Sequence, residues 1–181
     1  MIISASRRTD IPAFYSDWFI ERIKEGFVLV RNPLNIHQVS KIKLTPDVVD
    51  FIVFWTKNPE PLLGKLNELQ DYNYYFQFTL NSYDTDIEEY VPNKGKYVLS
   101  TFKKLSDIIG KEKVIWRYDP ILLNEKYNIS YHLENFEKLA KQLSDYTEKC
   151  TISFVDLYKK TEKNLKDTNI IPFGDEIIRD I

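Results

Sequence analysis

The 181-residue chain is short of cysteine, histidine and glycine, and each shortage excludes a class of chemistry. Its one cysteine, Cys150, cannot make an internal disulfide, a Cys-based zinc site or a self-contained iron–sulfur site. Two histidines, His37 and His132, are too few for most His-rich metal sites. Five glycines leave little room for a phosphate loop, a Rossmann fingerprint or a GxSxG elbow, and none of these motifs occurs. Basic excess is missing as well. The 25 Lys+Arg face 27 Asp+Glu, a formal net charge of -2, which argues against a dedicated nucleic-acid binder. The longest apolar run, Val48 to Trp55, contains Asp50 and falls far short of the roughly 20 residues a membrane helix needs. Met1 to Arg8 is too short, and basic too early, for a signal peptide. These absences point to a cytoplasmic chain with a reduced Cys150.

What the chain has is apolar bulk. It is 43% hydrophobic and 14% aromatic, which excludes a disordered or low-complexity chain. The length suits one domain, at roughly 100–200 residues per domain, and no linker divides it. Five β-rich runs recur, at Ile2–Ser6, Phe51–Trp55, Tyr74–Thr79, Val114–Arg117 and Thr151–Val155. Most are continuously apolar, as in parallel strands buried on both faces. Helical periodicity fills the gaps between them. Trp18, Phe19, Arg22 and Ile23 precede the stop at Gly26. Leu62, Leu63, Leu66 and Leu69 follow the second strand, and Val98 to Ile109 precede Gly110. Leu133, Phe136, Leu139, Ala140 and Leu143 form an i, i+3, i+4 stripe. Alternating strands and helices predict an α/β fold with a parallel sheet. The segment at about 27–45 breaks the rhythm: two β runs flank Asn32-Pro33-Leu34-Asn35 and predict an inserted antiparallel hairpin.

The spacing predicts an incomplete TIM-like (β/α) barrel, since closure takes eight units and roughly 250 residues. The chain stops on Gly174 to Ile181, which reads as a helix just begun. The expectation is a fragment truncated at its C-terminus, or a half-barrel whose open edge a second copy covers in a homodimer.

Three strand ends echo one another. They are Ser6-Arg7-Arg8-Thr9-Asp10-Ile11-Pro12, Trp55-Thr56-Lys57-Asn58-Pro59 and Trp116-Arg117-Tyr118-Asp119-Pro120. Each gives basic side chains, then Asp or Asn, then Pro. Asn58-Pro59 and Asp119-Pro120 fit a helix N-cap followed by Pro at the first helical position, and Asp10 fits a cap too. The cations need another account, because charge extending from buried strands is costly unless paired. Two readings stay open. Arg7, Arg8, Lys57 and Arg117 pair with Asp10, Asp119 and Asp156 as a structural network. Alternatively they gather on a phosphate or carboxylate at the carboxyl face, where barrel enzymes place their sites. Gln77, Thr79 and Ser153 lie near the same strand ends and are candidates for polar contacts to that ligand, with Tyr158, Lys159 and Lys160 following. The three aspartates could hold a divalent metal, but the adjacent cations favour ion pairing, so no metal is assigned. His37 in the polar hairpin reads as exposed and without a role. His132, one position before the apolar stripe, reads as a surface residue. Cys150, at the start of the fifth strand, reads as core.

The blocks Ser4 to Pro12, Arg31-Asn32-Pro33, Phe54 to Pro59, Phe76 to Thr79, Trp116 to Pro120 and Ser153 to Asp156 together resemble an uncharacterised bacterial family, domain of unknown function 1848. The resemblance spans nearly the whole chain. It implies a barrel protein longer than this chain, with a C-terminal segment of C-x3-C-x2-C-like spacing. That spacing is similar to the cluster motif of radical S-adenosylmethionine enzymes. An iron–sulfur cluster and S-adenosylmethionine are therefore implied only for a longer chain that carries the Cys-rich segment. The family brings no reaction with it. The leading expectation is an enzyme-type barrel domain that recognises an anionic small molecule. Its rivals are a nucleotide or nucleic-acid binding module, with Trp55, Trp116 and Tyr118 stacking bases, and an inactive truncated fragment.

Overall fold

A computed structural model describes residues 1–6, 8–155 and 169–171. The expected features at Arg7, Asp156, Tyr158 to Lys160 and the C-terminal helix start all lie outside those residues. The fold is α/β. Five strands form one parallel sheet: β1 (Ile2–Ser4), β4 (Phe51–Thr56), β5 (Tyr74–Thr79), β6 (Val114–Ile121) and β7 (Cys150–Phe154), in that order across the sheet. The hairpin is β2 (Phe27–Arg31) paired antiparallel with β3 (Val39–Lys43). β1 and β7 end the row, so among the described residues the sheet does not close into a barrel. No described helix is long and apolar enough to cross a membrane. The chain divides into two compact units, Met1–Phe78 and a second from Thr79 onward.

In the first unit, α1 (Ile11–Phe14) and α2 (Ser16–Glu25) follow β1. Asp10 caps α1 by accepting from Ala13 N at 3.0 Å, with Pro12 inside the first turn, as its sequence context predicts. Gly26 ends α2 at φ 75°, a left-handed position that glycine fills without a Cβ clash. The hairpin tip is longer than expected. Asn32 N–H donates to Gln38 O at 2.9 Å and Asn32 Nδ2 to Gln38 Oε1 at 2.6 Å, so β3 begins only at Val39. His37 is exposed in that tip. The leucines after β4 form two short pieces, α3 (Glu60–Leu63) and a 3-10 turn at Leu66–Leu69. Asn58 is not the cap residue proper. Pro59 holds that position, and Asn58 Oδ1 accepts from Glu60 N at 3.4 Å.

The apolar strands are buried on both faces only in part. In β4, Ile52, Phe54 and Thr56 are buried on one face; on the other Val53 is buried, whereas Phe51 and Trp55 are exposed. Aromatics at outward positions hide the period-2 alternation that the backbone imposes. On the covered face Phe54 stacks on Phe76 at 4.9 Å, and Phe19 of α2 meets its edge at 5.3 Å. Each fully buried ring of this kind contributes about 1.5–3 kcal/mol of transfer free energy.

In the second unit, α4 (Leu99–Ile109) precedes β6, and α5 (Ile129–Leu143) joins β6 to β7. Asn128 caps α5 through Tyr131 N at 2.9 Å. α5 packs on the face that carries Trp116 and Tyr118. Phe136 stacks on Trp116 at 4.9 Å and meets the Tyr118 ring at 5.3 Å. The expected stripe holds at Phe136 and at the buried Leu143 but not at its first member: His132 is 1% exposed, whereas Leu133 lies outside. His132 is therefore a core residue. Cys150 begins β7 as expected but is exposed.

Candidate functional site

The Asp119-Pro120 step gives the second unit its unusual feature. It does not start a helix; it lies inside β6. On β6 the paired positions advance from Tyr118 to Ile121, while on β7 they advance only from Ile152 to Phe154. One extra residue therefore sits on β6, a β-bulge, which is one of the few places a strand tolerates proline. A bulge costs ladder bonds, and here side chains replace them. The buried Asn81 donates Nδ2 to Asp119 O at 2.9 Å and accepts from Asp119 N at 2.8 Å, imitating a neighbouring strand. Tyr83 Oη donates to Pro120 O at 2.9 Å and accepts from Leu122 N at 2.8 Å.

This brace fixes the direction of the Asp119 side chain. Its Oδ2 accepts from Arg117 Nε at 2.6 Å and also pairs with Nη2, so one edge of the guanidinium converges on a single carboxylate oxygen. Its Oδ1 accepts from Ser153 Oγ on β7. Alternation along the strands puts Arg117, Asp119, Thr151 and Ser153 on the face opposite Trp116 and Tyr118. The Arg117 and Asp119 side chains are 15% and 17% exposed. Three of the expected site residues thus come together, with Arg117 neutralised by Asp119. Thr79, half-buried at the end of β5, is the second unit's other expected contributor.

In the first unit, Asp10 and Lys57 come together. Asp10 Oδ2 accepts from the Lys57 backbone N–H at 2.7 Å, so one carboxylate ties the end of β4 to the start of α1. Burial pushes the Asp10 carboxyl above its ordinary range. Bonds from Lys57 N–H, the Thr56 hydroxyl and Ala13 N–H, and the Lys57 charge, oppose that rise. Thr56, buried and unremarkable in the sequence, also accepts from Asn58 N at 3.0 Å. Arg8 is exposed and donates to the hairpin at Arg31 O, 3.1 Å. Gln77 is half-buried opposite Trp55 in the β4–β5 register.

A family model matches residues 2–181. The chain belongs to the domain of unknown function DUF1848. No curated protein and no solved structure matches it. The resemblance ties cluster chemistry to a Cys-rich segment that these 181 residues do not contain: their single thiol, Cys150, opens β7, and one thiolate cannot hold a cluster. Two of the three aromatic residues expected to stack on bases are covered: Trp116 and Tyr118 are both 2% exposed, and Trp116 Nε1 donates to Leu80 O at 3.0 Å, whereas Trp55 is exposed.

Sequence reasoning missed Asn81, Tyr83 and His132. Nε2 of His132 faces Leu122 O at 2.9 Å, and Nδ1 faces Tyr118 Oη at 2.9 Å. A carbonyl only accepts, so Nε2 carries the proton and Nδ1 accepts from the tyrosine. Burial lowers the His132 pKa. Burial likewise raises the Tyr83 and Tyr118 hydroxyls, so the bracing groups stay uncharged.

Proposed function

We propose that this DUF1848 domain is a portion of a β/α barrel that recognises a small molecule through its carboxylate or phosphate group, with Arg117 as the anchoring cation. The observation that carries this reading is the Arg117–Asp119–Ser153 network at the β6 bulge. A guanidinium has five N–H donors and can hold two anions at once. Asp119 engages one edge of it and fixes its direction. A guest is then spared most of the roughly 2 kcal/mol of rotamer entropy that a loose arginine would lose. Carboxyl ends of parallel strands are also where open α/β sheets bind their ligands.

The test is isothermal titration with inorganic phosphate and with citrate, on the wild type and on Arg117→Met/Asp119→Asn. The double variant removes the cation without stranding a buried carboxylate. The wild type should bind with an affinity that weakens as salt rises, and the variant should lose at least about tenfold. Equal affinities in two proteins with matching unfolding transitions would refute the proposal.

A further inference from the structure

The second unit also holds a cleft that shares Asn81 and Tyr83 with the brace of the bulge but does not include Arg117, Asp119 or Ser153 in its lining. The cleft, of about 900 Å³, opens between the loop after β5 and the helix α5. Its volume is within the range of roughly 300–1,000 Å³ typical of small-molecule pockets. From α5 come Asn135, Lys138, Leu139 and Gln142, spaced to share one helix face. From the loop come Asp84, Asp86, Glu88 and Lys94, and Lys126 lies between the two walls.

The charges on these walls cancel. Lys126 reaches Asp84 at 2.9 Å and Asp86 at 3.0 Å. Lys94 pairs with the buried Glu88, and Lys138 approaches Glu134 at 3.8 Å. Three carboxylates and three ammonium groups line the cleft, so it has no formal net charge. An ionic guest would have to part an existing pair and shed its own water. A neutral guest rich in hydroxyls faces neither cost. Carboxylate oxygens take several hydrogen bonds each, so Asp84 and Asp86 can accept from hydroxyls while staying on Lys126. Asn135 and Gln142 supply amide donors and acceptors, and Leu139 with Leu99 supplies an apolar patch for the C–H face of a ring.

The backbone beneath the cleft has the irregularity common at functional positions. Val98 N–H reaches back five residues to Asn93 O at 3.2 Å, forming a wide turn at Lys94–Val98 just before α4. Such turns concentrate at functional sites. We infer that this cleft is a binding site for a neutral, polyhydroxylated small molecule, a mono- or disaccharide in chemical class.

The test is ligand-observed NMR and titration calorimetry on the full chain. The probes are D-glucose, D-galactose, maltose and sucrose, with glucose 6-phosphate and gluconate as charged counterparts. At least one neutral sugar should bind saturably, and its charged counterpart at least about tenfold more weakly, an affinity difference of about 1.4 kcal/mol. Leu139→Trp, which fills the cleft, should abolish that binding, and Gln142→Ala should weaken it. Saturating inorganic phosphate should leave sugar affinity unchanged, which separates this site from the anion site at Arg117. The inference is overturned if no neutral sugar binds, if a charged counterpart binds as well or better, or if Leu139→Trp binds normally with an intact unfolding transition.

Discussion

Replacing His132 by phenylalanine separates what its shape does from what its nitrogens do. The ring is 1% exposed and lies 5.6–5.8 Å from the rings of Tyr83, Tyr118 and Tyr131, so His132→Phe keeps the packing approximately intact. It removes two hydrogen bonds, stranding Leu122 O and leaving the Tyr118 hydroxyl to find another acceptor. An unsatisfied buried polar atom costs about 1–3 kcal/mol, so the loss at neutral pH should be about 2–4 kcal/mol. The pH dependence has a definite sign. Burial holds the folded pKa of His132 below 6.5. As pH falls past about 6.5 the unfolded chain takes up a proton while the folded protein does not, so wild-type stability is full above that value and declines below it. The decline reaches at most about 1.4 kcal/mol per pH unit and ends at the folded pKa. The variant has no such group. Urea unfolding followed by tryptophan fluorescence, from about pH 8 down to about pH 5, should show the stability gap between the two proteins narrowing. A gap that stays constant over that range, or one below about 1 kcal/mol near pH 8, would refute the reasoning.

Three further outcomes follow from the same geometry. Asp119→Ala should cost about 2–4 kcal/mol, because it leaves the Arg117 cation half-buried without its carboxylate, whereas Arg117→Met/Asp119→Asn should recover most of that loss in chemical denaturation. Asp10→Ala should cost about 2–3 kcal/mol through the lost cap and the orphaned Lys57 N–H, measured the same way. Because burial raises the Asp10 pKa above 3.8, the folded protein protonates there first and this residue adds stability as pH falls toward 3.8; Asp10→Asn should flatten that acid-side gain. Gly26→Ala should lower stability by about 1–2 kcal/mol, since φ is 75° and a new Cβ would sit 3.0 Å from Thr45 Cγ2, while Gly64→Ala, with open space around it, should change a thermal melt little.

The regular parts of this fold were legible because they depend on local pattern. The five strands, the hairpin and the helices ending at Gly26 and Gly110 lie where periodicity and stop signals predict them. Misreadings occurred where a distant group supplied what the local pattern lacked. Asp119-Pro120 has the form of a helix start, and Asn81, 38 residues away, together with Tyr83 makes it viable in a strand. His132 fell outside the apolar stripe because its polarity masks a core position, and Leu122 O and Tyr118 make that position habitable. Asp10 was readable as a cap, since that role needs only Ala13, but its hold on Lys57 was not. Pairing between cations and aspartates was one of two readings the sequence left open, and Arg117–Asp119 adopts it. The 900 Å³ cleft has no sequence signature, because its walls belong to segments separated by about one helix and one strand.

The left-to-right order of the sheet also carries a consequence for how the molecule is made. Every strand of the five-stranded sheet after β1 is laid against one already synthesised, so that sheet can grow by accretion as the chain emerges, each finished edge serving as template for the next arrival. The hairpin is a side excursion between β1 and β4, and its tip at 32–38 takes no part in that growth. Lengthening the tip should leave the pairing of every later strand undisturbed, which makes it the natural place to graft a tag or a reporter.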